Sequence, residues 1–322
     1  MRRGASRLGH LFLGASLVVA LITAMARVSA TAELVANLRW PLGLSGVIAA
    51  AAYLFGRRPL LALLGMVVGL LLVWPNVSFR WGSSPRIEGA VLRVASVNLL
   101  FGRVEPHRVE AFLDEFDPDV VGLLEVLQEN RTGTDWFQVL ERWRERYPHQ
   151  VVLPHGYSFG MALLSRHPLE GVRAVEPEGG ENIYAHRPAL LEAVARIGGE
   201  PVRILLAHPE RPGRAWRTRA RARVFEEVVR RAGQEPVLVL GDLNCTEGSP
   251  LFQDLLDGAG LVDSRRGFGP CPTWAHHLVP GRWVTLDHVL VRGLGVLERG
   301  VGPDLGSDHL PATAVLTLGG DP

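Results

Sequence analysis

The sequence predicts a layered sandwich of helices and strands, of the α/β or α+β class, preceded by three transmembrane helices. Apolar residues are concentrated near the start of the 322-residue chain. From Val91 onwards, short β-branched runs alternate with amphipathic segments, and strands outnumber helices. This mixture favours a layered sandwich over a doubly wound sheet. We therefore predict an anchor at 1–79, a linker at 80–89 and a globular domain at 90–318.

Three apolar stretches form the predicted anchor, over about Leu11–Ala26, Trp40–Phe55 and Leu60–Trp74. With their flanks, they reach the roughly 17 to 20 apolar residues that a spanning helix needs. They contain no acidic residue and no central charge, which favours an anchor over an ion or substrate pathway. We expect residues 8–76 to contact a lipid bilayer as a multi-pass membrane segment.

Arginine placement predicts the orientation of these helices. One group precedes the first helix and a second group joins the other two helices, at Arg2, Arg3, Arg7, Arg57 and Arg58. Under the positive-inside rule both groups are cytoplasmic, so three spans place the globular domain on the extracytoplasmic side of the cell membrane. Arg27 and Arg39, in the first link, oppose this bias.

Periodicity of the apolar residues predicts the elements of the globular domain. Alternating or continuously apolar runs predict strands at about 91–98, 119–126, 150–153, 160–164, 189–197, 202–207, 236–244, 283–291 and 312–318. Apolar residues three or four apart predict helices at about 105–117, 135–147, 213–232 and 249–260. In the first of these helices Val109, Phe112 and Phe116 share one face, and Pro118 ends it.

Composition excludes some kinds of chemistry. All 34 basic residues are arginine, so mechanisms that need a lysine amine are excluded. A net charge of +1 does not by itself indicate a nucleic-acid partner. Cys245 and Cys271 lack zinc-ligand spacing, and they fit either one disulfide or two unpaired residues. The arginine-rich segment 211–231 fits a solvated helix face, with Glu226 and Glu227 as partners of Arg223, better than a phosphate-binding surface.

Polar residues collect where the predicted strands end. Charged groups this close to apolar strands need ion pairs, hydrogen bonds or metal ions. The residues are Asn98, Glu125, His208, Asp242, Asn244, Asp287, Asp308 and His309. Taken singly, Asp242 and Asn244 could simply cap a turn and Asp287 could belong to a structural ion pair. The functional interpretation depends on the whole set.

The strings around these residues resemble the endonuclease/exonuclease/phosphatase superfamily, the DNase I-like group. They occur in one order along the chain, as VNLLFGR (97–103), LLEV (123–126), GDLN (241–244), TLDHVL (285–290) and GSDHLP (306–311). The resemblance covers about residues 92–318 and extends to membrane-anchored bacterial members. It implies a four-layer sandwich, in which two central sheets are flanked by helices.

The resemblance also implies a cofactor, Mg²⁺ or Mn²⁺. Glu125 is then the main metal ligand, with Asn98 and Asp308 close to the ion. Hard oxygen ligands suit these cations. The usual Gln-Glu pair is Leu124-Glu125 here, which keeps the acid.

Catalytic roles follow from the same resemblance. Asp242 orients or deprotonates the attacking water, and Asn244 holds a phosphoryl oxygen. His309, oriented by Asp287, is an acid/base or charge-stabilising group, because a carboxylate fixes the imidazole tautomer. His208 is the second imidazole of the site.

Trp274 and Arg187 are predicted to bind substrate. Many nuclease members have Arg-Glu-Pro where this chain has His186, Arg187 and Pro188, so His208 is expected to lack its usual carboxylate partner. The predicted function is Mg²⁺-dependent hydrolysis of a phosphoester, with nucleic acid, phospholipid and small phosphoesters all open as substrates and no obligate protein partner evident. The alternatives are a non-catalytic binding module on the same fold and a transport role for the helices.

Overall fold

The computed structural model describes residues 2–77, 79, 89–128, 133–153, 159–176, 189–275, 281 and 283–319. An N-terminal group of helices comes first in the chain. It consists of α1 (Arg2–Ala24), α2 (Ala30–Asn37), α3 (Arg39–Phe55) and α4 (Pro59–Val77). The predicted linker falls almost entirely outside the described residues.

Two or three of these helices could span a membrane. α1 and α4 are each long and apolar enough to do so, and α2 with α3 forms a third candidate that is bent by 67°. α3 and α4 pack so closely that a Cβ atom added to Gly46 would lie 2.6 Å from the Cα atom of Gly69. The short helix α2 was not predicted. It divides the link between the first two apolar stretches.

The remaining described chain alternates strands with four further helices. The strands are β1 (Val91–Asn98), β2 (Val120–Leu124), β3 (His149–Leu153), β4 (Met161–Ser165), β5 (Leu169–Val175), β6 (Leu190–Ile197), β7 (Glu200–Ala207), β8 (Val237–Asp242), β9 (Val262–Asp263), β10 (Asp287–Arg292), β11 (Leu294–Val301) and β12 (Ala312–Leu318). The helices are α5 (Pro106–Phe116), α6 (Trp136–Arg142), α7 (Ala215–Arg231) and α8 (Pro250–Ala259).

The strands form two six-stranded mixed sheets. The first has the order β11-β12-β1-β2-β4-β3 and the second has the order β5-β6-β7-β8-β10-β9. Each sheet contains one parallel pair, β1 with β2 and β7 with β8, and the helix between the two strands, α5 or α7, makes the crossover that parallel pairing needs.

Four layers result from this topology, as predicted. The inner faces of the two sheets share one core, α5 and α6 cover the outer face of the first sheet, and α7 and α8 cover that of the second. Because both faces are covered, central strands such as β2 and β8 are buried along their whole length.

Several boundaries differ from the prediction. β5, β9 and β11 were missed, the helix predicted at 135–147 ends at Arg142, and the strand predicted at 283–291 begins at Asp287. β5 and β11 are edge strands with exposed polar positions, so their apolar pattern is weak.

Candidate active site

The site lies where the two sheets approach each other at their strand ends. Within the first sheet, Asn98 at the end of β1 pairs with Leu124, the last residue of β2. Within the second sheet, Asp242 at the end of β8 lies opposite Asp287 at the start of β10. The Asn98 Nδ2 atom donates to the Asp242 Oδ2 atom over 3.2 Å, so a direct hydrogen bond joins the two sheets.

Glu125 follows β2 in a left-handed backbone conformation, with φ of +59°. Its Oε1 atom accepts a hydrogen bond from Asn98 Nδ2 over 3.2 Å, and its Oε2 atom accepts one from the Phe101 N–H over 2.6 Å. Burial raises the pKa of Glu125, and these hydrogen bonds oppose the shift. Glu125 and Asn98, predicted to lie together, do so.

Asp242 is buried and has polar neighbours on several sides. Its Oδ1 atom accepts a hydrogen bond from the Asn244 N–H over 2.9 Å. Its Oδ2 atom lies 3.7 Å from His309 Nε2 and 3.8 Å from His208 Nε2. Burial raises the pKa of Asp242 to about 7, although the His309 charge opposes the shift. Both predicted imidazoles therefore face one carboxylate.

His309 is held by Asp287, as predicted. The Nδ1 atom of His309 lies 2.7 Å from Asp287 Oδ2, and Thr273 Oγ1 accepts from the Asp287 N–H over 3.2 Å. Burial opposes protonation of His309, but the negative charges of Asp287 and Asp242 outweigh burial and raise the His309 pKa to about 10. Burial also opposes ionisation of Asp287, and the charge and hydrogen bond of His309 lower its pKa.

The other predicted residues lie at the edges of this cluster. Asn244, with φ of +51°, donates from Nδ2 to the Pro209 carbonyl over 3.1 Å. The Trp274 Nε1–H donates to Asp308 Oδ2 over 3.3 Å, which places Trp274 beside the site. Arg187 lies outside the described residues.

The oxygen atoms present suit a hard cation. Asp308 Oδ1 is buried and accepts no hydrogen bond from any described residue. A buried carboxylate oxygen without a donor favours a bound cation. Asp242, Asp287 and His309 form a second group that could hold a metal ion, because their ligand atoms lie within 4.8 Å of one another. In this group, however, His309 Nδ1 is already engaged in the hydrogen bond with Asp287. In this arrangement Asn98 turns its nitrogen, and not its oxygen, towards Glu125 and Asp242.

Sequence reasoning missed the polar network behind the site. Arg265 is buried against Asp263 and Glu247, with nitrogen–oxygen distances of 2.6 and 3.2 Å. His288 is also buried in this network, where its Nε2 atom donates to the Cys245 carbonyl oxygen over 2.9 Å. A short SRR string at 264–266 beside a strand was the available sequence signal.

The contacts bear on two questions that the sequence left open. Cys245 and Cys271 are both free. In the arginine-rich segment, Glu227 pairs with Arg230 and Arg231. Arg221 is fully buried and does not lie on a solvated helix face.

Two mixed sheets that meet over clustered carboxylates and imidazoles define a DNase I-like phosphoesterase fold. The chain belongs to the Endonuclease/Exonuclease/phosphatase family, whose model matches residues 95–309.

Solved structures share this fold. An endonuclease/exonuclease/phosphatase from Beutenbergia cavernae DSM 12333 is 25% identical, with a TM-score of 0.60 over 71% of this chain and 72% of that one. An AP endonuclease from Archaeoglobus fulgidus is 18% identical, with a TM-score of 0.53 over 69% and 98% of the two chains. Sphingomyelinase C from Streptomyces griseocarneus is 18% identical, with a TM-score of 0.51 over 70% and 99%.

Proposed function

We propose that this protein is a membrane-anchored hydrolase that cleaves a phosphoester bond with the help of Mg²⁺ or Mn²⁺. The observation that carries the proposal is the position of Asp242. Its carboxylate lies within 3.8 Å of both His208 and His309 and accepts a hydrogen bond from Asn98, which also binds Glu125. These residue types, arranged around one point, fit attack of water on a phosphorus atom.

The reaction needs a base for water and positive charge for the phosphoryl oxygens. Asp242 accepts the proton as the water oxygen forms its bond to phosphorus, and the ester P–O bond breaks with its electron pair on the departing alcohol oxygen. The alcohol oxygen takes a proton from solvent water, and Asp242 then releases its own proton to solvent. His309, held by Asp287 at 2.7 Å, stabilises the charge that develops. Asn244 and His208, which both lie beside Asp242, donate to phosphoryl oxygens.

Glu125 and Asp308 would hold the metal ion, with Asn98 fixing the Glu125 carboxylate. When bound, the ion would neutralise charge on the phosphoryl group. Trp274, whose Nε1–H donates to Asp308, would contact the substrate. The named relatives include an endonuclease and a sphingomyelinase, so both nucleic-acid and lipid phosphoesters fit the proposal.

The test uses the full chain in lipid nanodiscs, with bis-p-nitrophenyl phosphate and p-nitrophenyl phosphate as substrates. We expect hydrolysis with Mg²⁺ and none with EDTA, and we expect Asp242→Asn and His309→Ala to lower kcat by about 10² to 10⁴. The exposed change Arg144→Ala is the control. If the parent rate survives EDTA and both site changes, catalysis by this site is refuted and a binding module is favoured.

A further inference from the structure

Helix α2 lies on the globular domain and carries two polar side chains that are buried there. Glu33 is 1% exposed and Asn37 is 5% exposed. Both belong to a segment that connects apolar helices, where a buried carboxylate needs compensating partners. The partners come from the globular domain, more than 170 residues further along the chain.

Glu33 binds two elements of that domain. Its Oε2 atom lies 2.6 Å from Arg221 Nη2 on α7, and its Oε1 atom accepts a hydrogen bond from the Ser249 hydroxyl over 2.9 Å. Ser249 is the residue that precedes α8. Through its Nη1 atom, Arg221 also donates to the Glu210 carbonyl over 2.9 Å. One carboxylate of the anchor therefore ties α2 to α7 and to the start of α8.

Asn37 binds the segment that leads to Ser249. Its Oδ1 atom accepts from the Thr246 N–H over 2.6 Å, and its carbonyl accepts from the Thr246 hydroxyl over 3.1 Å. The neighbouring Gly248 lies so close to α2 that an added Cβ atom would be 2.0 Å from the Ala36 carbonyl oxygen. Only glycine fits this approach, so residues 246–249 run directly against α2.

Residues 246–249 follow the proposed catalytic residues Asp242 and Asn244 closely in the chain. Asn244 is two residues before Thr246, and its own N–H fixes Asp242 through the 2.9 Å hydrogen bond. The Nδ2 atom of Asn244 binds the Pro209 carbonyl, and the following carbonyl, that of Glu210, is held by Arg221. α2 therefore holds both stretches of backbone that Asn244 touches.

We propose that Asn37 and Glu33 are positioning residues, which fix Asp242 and Asn244 by holding residues 246–249 and Arg221 in place. This inference rests on the proposed function of Asp242 and Asn244. It makes the anchor part of the catalytic unit, since a displacement near 1 Å at a reacting group can lower a rate about 10²-fold. Membrane attachment and turnover are then coupled through one eight-residue helix.

The experiment compares Asn37→Ala with Arg27→Ala in the full chain in nanodiscs. Arg27 also joins the anchor to the globular domain, through its ion pair with Asp254, but this ion pair is solvent-exposed, with relative side-chain exposures of 65% and 50%. We expect Asn37→Ala to lower kcat for bis-p-nitrophenyl phosphate about tenfold or more with KM changed less than about threefold, and Arg27→Ala to leave both unchanged. Amide hydrogen exchange at Thr246 should become faster in Asn37→Ala and not in Arg27→Ala.

Thr246 supplies a second test that does not alter the anchor. Thr246→Val removes the hydroxyl that binds Asn37 and should lower kcat in the same way, whereas Thr246→Ser keeps the hydroxyl and should restore the rate. Equal kcat in Thr246→Val, Thr246→Ser and the parent chain, with equal exchange in Asn37→Ala, would overturn the inference. If the parent chain hydrolyses neither substrate, the proposed function fails. Even then, faster amide exchange at Thr246 in Asn37→Ala would support the inference that Asn37 holds residues 246–249 in place.

Discussion

The buried ion pair between Glu33 and Arg221 allows a quantitative test of the anchor contact. The Arg221 side chain is 0% exposed and the Glu33 side chain is 1% exposed, and Arg221 Nη2 lies 2.6 Å from Glu33 Oε2. Arg221→Met leaves a buried carboxylate with only the Ser249 and Asn37 donors, so we expect a loss of about 3 to 5 kcal/mol. At about 2 to 4 °C per kcal/mol for a domain of this size, the thermal midpoint in nanodiscs should fall by roughly 6 to 20 °C.

The double variant Glu33→Leu with Arg221→Met separates charge burial from lost packing. It removes both charges and leaves Ser249 Oγ and the Glu210 carbonyl without their partners, each costing about 1 kcal/mol, so its loss should be near 2 kcal/mol. Asn37 Nδ2 keeps the Glu33 backbone carbonyl as an acceptor. It should therefore melt above Arg221→Met. Arg230→Met is the matched control, because that arginine is exposed and forms a pair worth about 0.3 to 0.5 kcal/mol. A midpoint for Arg221→Met equal to that of Arg230→Met would refute the reasoning.

Two further predictions concern the pH dependence of stability and the sidedness of the domain. Burial opposes ionisation of Asp263, but the charge and hydrogen bonds of Arg265 hold the Asp263 pKa far below its usual range, so its contribution is present above about pH 4 and is lost as the pH falls. Asp263→Asn should therefore melt well below the parent at pH 7, and the difference between their midpoints should narrow below about pH 4; a constant difference would contradict this. A reporter that works only in an oxidising compartment, fused after position 85, should be active, and cytoplasmic activity of the matched reporter would reverse the proposed orientation.

Much of the fold could be predicted because the central strands are covered on both faces. β1 and β12 are mostly apolar and β-branched runs with clear ends, and their predicted bounds match the structure. The candidate site could be predicted for the same reason, since Asn98, Glu125 and Asp242 follow such runs directly. A polar residue at the end of a buried strand can be recognised in the sequence without knowing which strand lies beside it.

The remaining features depend on contacts between distant parts of the chain. The sequence of α2, ATAELVAN, has no strong helical periodicity. Glu33 gains its partner Arg221 only when α7 and α8 pack against α2. The expected missing partner of His208 is a related case. The expectation followed from the string at 186–188, yet the structure places the Asp242 carboxylate 3.8 Å from His208, from another strand of the same sheet.

The position of Asp242 connects the candidate site to the contact between α2 and the globular domain. Its carboxylate is bound by Asn98 from the first sheet and faces His309, which Asp287 holds from the second sheet. A small change in the separation of the sheets would therefore change at least one of these distances. Thr246 is four residues after Asp242 in the chain, and Asn37 on α2 binds Thr246 by two hydrogen bonds. Rigid packing transmits such shifts, so the fixed position of α2 limits the movement available to Asp242.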